Sequence, residues 1–97
     1  MDVKSREEII KFAQKLNSTN LSPLRSGNIS LKAQKNNEEG FLITPSGKKY
    51  DSLKADDIVF VSLEGRYDEK GLQPSSEWRF HKDIYLKKSD AKAVVHA

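Results

Sequence analysis

The sequence predicts an α/β fold in which antiparallel strands are flanked by two helices. Apolar residues recur at helical spacing over residues 9–16, and again over residues 78–85 in a second helix predicted to end near residue 88. Between these segments, apolar and polar residues alternate over residues 29–34, as in a strand with one buried face. Because the chain has 97 residues, it is long enough for one domain with a modest core.

The first helix is predicted to begin at Ser5. Ser5 stands three residues before Glu8, which is the capping-box spacing, in which each side chain satisfies a free backbone amide of the other residue. The polar run 17–20 is predicted to end the helix. One apolar stripe is expected to face the core, formed by Ile9, Ile10, Ala13 and Leu16.

Four strands are predicted after this helix. Residues 29–34 and 41–44 are expected to form a hairpin around the polar, glycine-containing turn 36–40. The continuous apolar run 58–63 is typical of a central strand, and residues 93–97 are predicted to form the last strand. Since a sheet that stops just after a Val-Val pair would leave backbone donors unprotected, we expect this chain to be a truncated part of a larger sheet.

The charge pattern argues against nucleic-acid binding. Lysine and arginine number 17 against 14 aspartate and glutamate, a net charge of +3, and they are dispersed rather than clustered with aromatic residues. Cysteine is absent, which excludes disulfides and thiolate chemistry within this sequence. No apolar run has the length of a signal peptide core or a membrane span, so we expect no membrane partner and a cytoplasmic location.

The stretch 73–81 is the strongest candidate for a binding site. Pro74 has no amide hydrogen to leave unpaired, and Ser75 or Ser76 is predicted to cap the second helix. The amino terminus of a helix presents free N–H groups that attract anions, and Glu77 would stand beside a bound anion. The alternative is that the serine is an ordinary cap and Glu77 an ordinary first-turn acid.

Two further features leave their function open. Residues 44–47 combine a proline, a hydroxyl and a glycine able to adopt a positive φ, so they form either a plain turn or a place where a ligand approaches the backbone. His81 follows Glu77 by four residues, which puts both on one helix face. They are candidates for a shared metal site, although a histidine among aromatic residues is more often packed and hydrogen-bonded.

Four short motifs follow one another along the chain: Gly-Asn-Ile-Ser at residues 27–30, Ile-Thr-Pro-Ser-Gly at 43–47, Pro-Ser-Ser-Glu-Trp-Arg-Phe-His-Lys-Asp-Ile-Tyr at 74–85 and Ala-Val-Val-His-Ala at 93–97. In order and spacing they resemble the amino-terminal part of the class II aldolase/adducin family, most closely the branch that cleaves L-fuculose 1-phosphate. The resemblance implies a three-layer α/β/α sandwich with a mostly antiparallel sheet. Residues 1–97 would then be the amino-terminal part of a single domain.

The resemblance also implies a function, which is the zinc-dependent aldol cleavage of a sugar phosphate to dihydroxyacetone phosphate and an aldehyde. Glu77 corresponds to the family's acid/base, which moves the proton at the carbon next to the carbonyl, and His96 corresponds to the first zinc ligand. Family members are usually homotetramers, so a phosphorylated sugar and further copies of the chain are the expected partners. The positions that correspond to the family's phosphate site are Gly27, Asn28, Ser46, Gly47, Ser75 and Ser76.

The implied zinc site is incomplete in this sequence. The family pattern has a second histidine two residues after the position of His96 and a third much later, whereas the sequence stops at Ala97. Since a catalytic zinc usually takes three protein ligands, the chain by itself is not expected to hold zinc tightly or to cleave a substrate. Arg25 stands where the branch tends to have a small or hydroxyl residue, which leaves the identity of the sugar phosphate open.

Two other functions stay open at this point. A pentulose-phosphate 4-epimerase or a dehydratase of the same family would use a similar site, although the epimerases tend to carry aspartate at the position of Glu77. A non-catalytic, adducin-like interaction domain is the other possibility. The presence of both Glu77 and His96 argues against it.

Overall fold

An antiparallel sheet with a helix on each face forms the described part of the chain. The computed structural model describes residues 3–18, 28–47, 52–68 and 70–96. The elements in chain order are α1 (Val3–Ser18), β1 (Asn28–Lys35), β2 (Glu38–Ile43), a 3-10 helix (Ala55–Asp57), β3 (Val59–Ser62), α2 (Trp78–Lys87) and β4 (Ala93–His96). Neither helix in these residues has the length and apolar character needed to cross a lipid bilayer.

The strand order in the sheet is β3-β2-β1-β4, and all neighbouring strands run antiparallel. Ser30 on β1 lies between Ile43 on β2 and Val94 on β4. Because side chains on adjacent paired positions share a face, this register puts the even-numbered residues of β1 on the same face as Ile43 and Val94.

Each face of the sheet has its own apolar cluster. Ile9 and Ala13 of α1 are fully buried against one face, where they pack with Ile29, Leu42 and Phe60. On the opposite face, Tyr85 of α2 packs with Phe41, Ile43, Val61 and Val94. The helices therefore lie in separate layers, and the predicted three-layer α/β/α sandwich is confirmed.

The helix and hairpin boundaries differ from the predicted ones. Helix α1 begins at Val3 rather than at Ser5, so Ser5 lies within its first turn instead of capping it. The hairpin turn consists of Asn36 and Asn37, both with positive φ (52° and 66°), so β2 begins at Glu38. Asparagine tolerates this left-handed conformation, and a two-residue turn of this kind matches the twist of the strands that it joins.

The apolar run 58–63 forms β3 at one end of the strand order, not at its centre as predicted. The run is apolar because both faces of this strand are covered: Phe60 packs in the cluster under α1, and Val61 packs in the cluster under α2. A continuous run of apolar residues therefore indicates that both faces of a strand are buried, but it does not indicate how many strands lie beside it.

Candidate functional site

The pairing of β1 with β4 brings two predicted site residues together. Asn28 lies directly opposite His96 in the register of these strands. Directly opposed residues point to the same face of a sheet, with Cβ atoms about 5 Å apart. The predicted phosphate ligand and the predicted metal ligand are therefore neighbours on the face that α2 covers.

Glu77 approaches the same place from the start of α2. Its Oε1 lies 3.9 Å from Nδ1 of His96, and both side chains are close to half exposed. The ring of Phe80 lies against the His96 ring with the centroids 4.9 Å apart. Nδ1 of His96 is itself buried and has no hydrogen-bond partner among the described residues, so this nitrogen has a lone pair or a proton to offer to a ligand.

The entrance of α2 differs from the predicted one. The helix begins at Trp78, with Glu77 as its N-cap and with no side-chain cap bond. Ser75 and Ser76 precede the helix in a turn, where the Ser75 hydroxyl accepts a hydrogen bond from the Glu77 N–H at 3.2 Å. The Ser75 N–H donates to the carbonyl of Thr44 at 2.9 Å, beside an isolated bridge that the neighbouring residues Pro45 and Pro74 form.

That bridge joins two of the four sequence motifs. Pro45 pairs with Pro74 in an isolated antiparallel bridge, and the Ser46 N–H donates to the carbonyl of Gln73 at 2.9 Å. The predicted phosphate residues of the second motif are thereby held next to those of the third. Ser46, Gly47 and Ser76 are exposed, whereas Ser75 is buried.

The backbone conformation at position 47 favours glycine, whereas the space around it does not. Its φ is +74°, and no described atom lies within 4 Å of the position that a Cβ would take. A side chain here would strain the backbone without meeting a neighbour. Among the described residues, nothing covers the predicted phosphate-binding turn at this position.

Thr44 ties these segments to the start of β1. Its N–H donates to the carbonyl of Ile29 at 3.2 Å, and its hydroxyl oxygen accepts from the Ile29 N–H at 3.4 Å. Its carbonyl accepts the hydrogen bond from Ser75. Thr44 is buried, and this role was not predicted from the sequence because its bonds join residues that are distant along the chain.

A chain of buried polar side chains runs from α2 to Asn28. Nε2 of His81 is hydrogen-bonded to Oδ1 of Asn28, and Nδ1 of His81 is 2.7 Å from the Ser30 hydroxyl. The Ser30 hydroxyl is in turn 2.8 Å from the hydroxyl of Tyr85. The alternating pattern of β1 predicted Ser30 to be exposed, but it is fully buried because α2 covers this face of the sheet.

Burial controls the protonation of this chain. It lowers the pKa of His81 to about 4, with a smaller contribution from the nearby His96, so the imidazole is neutral at pH 7. Burial raises the pKa of Tyr85 to about 12, partly offset by its hydrogen bond to Ser30. His81 is thus the packed and hydrogen-bonded histidine of the two alternatives, and it does not share a metal site with Glu77.

Several sequence-based predictions lie outside the described residues, namely those for Gly27 and Arg25, for residues 19–20 at the end of the first helix, for the side chain of Leu16 and for Ala97 in the last strand. Within the described ranges, no group of three or more histidine, aspartate or glutamate side chains is placed to hold a metal ion. The structure does bring together His96, the predicted metal ligand, and Glu77, the predicted acid/base. The described residues of the predicted phosphate site lie beside them: Asn28, Ser46, Gly47, Ser75 and Ser76.

Comparison with known proteins identifies the family to which this chain is similar. Residues 7–97 match the model of the Class II Aldolase and Adducin N-terminal domain. The L-fuculose phosphate aldolase of Escherichia coli (strain K12) is 40% identical over 93 residues, covering 96% of this chain and 41% of that protein. The 5-methylthioribulose-1-phosphate/5-deoxyribulose-1-phosphate aldolase of Rhodospirillum rubrum is 41% identical over 91 residues, covering 94% of this chain and 39% of that protein.

A solved structure of an L-fuculose 1-phosphate aldolase superposes with a TM-score of 0.87 at 33% identity, covering 100% of this chain and 45% of that one. The chain belongs to the class II aldolase/adducin family and corresponds to its amino-terminal part. It spans less than half the length of these relatives.

Proposed function

We propose that residues 1–97 are the amino-terminal part of a single class II aldolase domain in an enzyme that cleaves a sugar phosphate, such as L-fuculose 1-phosphate, to dihydroxyacetone phosphate and an aldehyde. The observation that supports this most directly is the placement of Glu77 beside His96, with Asn28 opposite His96 on the neighbouring strand. The residues proposed as acid/base, metal ligand and anion ligand therefore lie close to one another. The similar curated aldolases act on ketose phosphates by their names, which fits this chemistry.

The phosphate would bind where the motifs meet at the ends of β1 and β2 and before α2. Hydroxyl groups and backbone N–H donors suit a dianion, because each hydrogen bond to a charged acceptor is stronger than a neutral one. The residues assigned to this site are Gly27, Asn28, Ser46, Gly47, Ser75 and Ser76. The bridge between Pro45 and Pro74 keeps the last four of them together.

Glu77 would move the proton at the carbon next to the substrate carbonyl. Its carboxylate is about half exposed and is carried by the residue that caps α2, so its backbone is fixed while its oxygens reach the open side of the site. A positioned carboxylate is suited to general acid/base catalysis of this kind. The backbone of Glu77 is held by the Ser75 hydroxyl, which links the proton-transfer group to the phosphate turn.

His96 fits a zinc ligand, because Nδ1 is buried without a hydrogen-bond partner among the described residues. A bound zinc ion supplies a Lewis acid for the oxygens of the substrate. Since such an ion usually takes three protein ligands, His96 would provide one of them, and the others would come from outside the described residues. His96 itself would be oriented by Phe80, whose ring packs on it.

We also propose that the enzyme is a cytoplasmic homo-oligomer, a tetramer as in the family, with a phosphorylated sugar as its substrate partner and neither nucleic acid nor membrane as a partner. The oligomeric state is measured by size-exclusion chromatography with light scattering. A monomer that retains full turnover would remove this part of the proposal.

The test of the function is retro-aldol cleavage by the full polypeptide as its gene encodes it. L-fuculose 1-phosphate, 5-deoxyribulose 1-phosphate and 5-methylthioribulose 1-phosphate serve as substrates, with a pentulose 5-phosphate for epimerisation and zinc content measured in parallel. Glu77→Gln is expected to lower kcat by about 10²-fold to 10⁴-fold. Asp83→Asn, an exposed acid further along the same helix, is the matched control and is expected to leave kcat unchanged.

Each outcome selects one function. Cleavage of a ketose 1-phosphate that depends on Glu77 supports the aldolase. Epimerisation or dehydration without cleavage would favour the related enzymes. A protein that neither turns over nor binds zinc would instead be the adducin-like interaction domain, and unchanged kcat in Glu77→Gln would remove Glu77 from its assigned role.

A further inference from the structure

We propose that His81 is a positioning residue that sets the orientation of the Asn28 amide for phosphate binding, through the buried chain Tyr85–Ser30–His81–Asn28. This inference rests on the proposed function and deepens it. It assigns a role to three residues that do not themselves touch the substrate. This hydrogen-bonded chain runs from α2 to β1, back to α2 and again to β1, so it joins two of the elements next to the site.

The chemistry of each group gives the chain one direction. The carbonyl oxygen of the Asn28 amide can only accept, so Nε2 of His81 must be the protonated nitrogen that donates to it. In a neutral imidazole the other nitrogen is then an acceptor, so Nδ1 receives the hydrogen bond of the Ser30 hydroxyl. The Ser30 oxygen remains free to accept from the Tyr85 hydroxyl, which begins the chain.

This direction matters because an asparagine amide has two unlike ends. With its oxygen bound to His81, the nitrogen of the Asn28 amide is the end that can donate to an anion. A rotation of the amide by half a turn would instead direct the oxygen, an acceptor, at the phosphate. The hydrogen bond from His81 therefore selects the orientation that binds an anion, before any ligand arrives.

Burial of the hydrogen-bonded side chains stabilises this orientation of the Asn28 amide. His81 and Ser30 are fully buried and Tyr85 is 2% exposed, so water is not available to replace a lost partner of these three side chains. The Phe41 ring stacks on both His81 and Tyr85, with centroid distances of 6.4 Å and 5.2 Å. These contacts hold the two rings in place.

The test is a double-mutant cycle in the full polypeptide, with inorganic phosphate as the probe in a calorimetric titration and with KM and kcat for the best substrate. Asn28→Ala is expected to weaken phosphate binding about tenfold, the effect of losing one hydrogen bond to a charged group. His81→Gln, which acts through the orientation of the Asn28 amide, is expected to weaken binding in the same direction and by no more than this factor. The double variant is expected to be no weaker than Asn28→Ala alone, because His81 acts through Asn28. KM should rise while kcat changes little.

Ser30→Ala provides a milder variant in case His81→Gln fails to fold, and it is expected to weaken phosphate binding in the same direction. Ser62→Ala is its matched control, since Ser62 is also a buried strand serine but lies on β3 with its hydroxyl bonded to the Arg66 backbone. Nitrogen NMR of the imidazole gives a readout without turnover. Protonated Nε2 and unprotonated Nδ1 are expected for His81.

The outcomes separate this inference from the function on which it rests. If the unsubstituted protein binds no phosphate, the proposed function fails and this inference fails with it. If it binds phosphate, the inference alone is overturned by any of three results: the opposite imidazole tautomer, unchanged binding in Ser30→Ala, or an equal further loss when His81→Gln is added to Asn28→Ala. The last result would show that His81 is merely structural.

Discussion

Of the described glycines, Gly40 has the least room for a side chain. A Cβ at this position would lie 2.2 Å from the carbonyl oxygen of Val61 and 2.6 Å from the Phe60 ring. Both atoms belong to β3, the strand that pairs with β2 at this point. The glycine therefore permits a close approach between strands, rather than a special backbone conformation.

We expect Gly40→Ala to lower the free energy of unfolding by about 1–3 kcal/mol, because the added methyl group forces the strands apart. Chemical denaturation of the folded chain measures the difference. Gly71→Ala is the control, since its Cβ would meet only the Asp68 carbonyl oxygen at 3.9 Å, an ordinary contact. Equal stability of the two variants would show that β3 can move away from Gly40 without cost.

At the scale of elements, Arg6 connects α1 to the 3-10 helix. Its guanidinium donates to the carbonyl oxygens of Ala55, at 3.0 Å, and of Ile58. Burial lowers the pKa of Arg6, and the charge of Asp56 partly offsets this effect. The Arg6 side chain thus attaches α1 to the segment that leads into β3.

We expect Arg6→Met to lower the free energy of unfolding by about 1–3 kcal/mol, because methionine keeps most of the apolar stem but leaves the carbonyl oxygens without a donor. Lys11→Met, an exposed position on the same helix, is the control and should change stability little. Urea unfolding of both variants provides the measurement. A loss in Arg6→Met no larger than in Lys11→Met would contradict the proposed connection.

At the scale of the whole molecule, the buried histidine couples folding to pH. The pKa of His81 is about 4 in the folded chain against an ordinary value of 6.5. Between these values the unfolded chain binds a proton that the folded chain does not bind. Stability must therefore fall as the pH is lowered from 6.5 towards 4, and it is fully restored above 6.5.

We expect the wild type to lose about 2–3 kcal/mol more stability than His81→Gln when the pH is lowered from 7 to 4.5. The carboxylates are common to both proteins, so their titration cancels in the comparison. Denaturation curves at the two pH values give the difference. If both proteins lost the same free energy of unfolding, the pKa of His81 would have to be the same in the folded and unfolded chain.

Much of this molecule follows from the sequence. Helix α1 and strand β1 were predicted from the period of their apolar residues, and the returning hairpin strand and the final strand were predicted as short runs after turns. The order of the four motifs predicted the family, which is confirmed. The assigned roles of Glu77, His96 and the phosphate residues stay predictions. The sequence had already singled out the entrance of α2 because a proline, hydroxyl groups and a carboxylate occur there together.

What only the tertiary structure decided is which of these residues meet. The register of β1 with β4 puts Asn28 opposite His96, and the bridge at Pro45 and Pro74 joins the second motif to the third. The burial of Ser30 and its bonds to His81 depend on α2 covering that face. The physical reason is that periodicity reflects contacts within a few residues, whereas registers, covering helices and buried hydrogen bonds join residues dozens of positions apart.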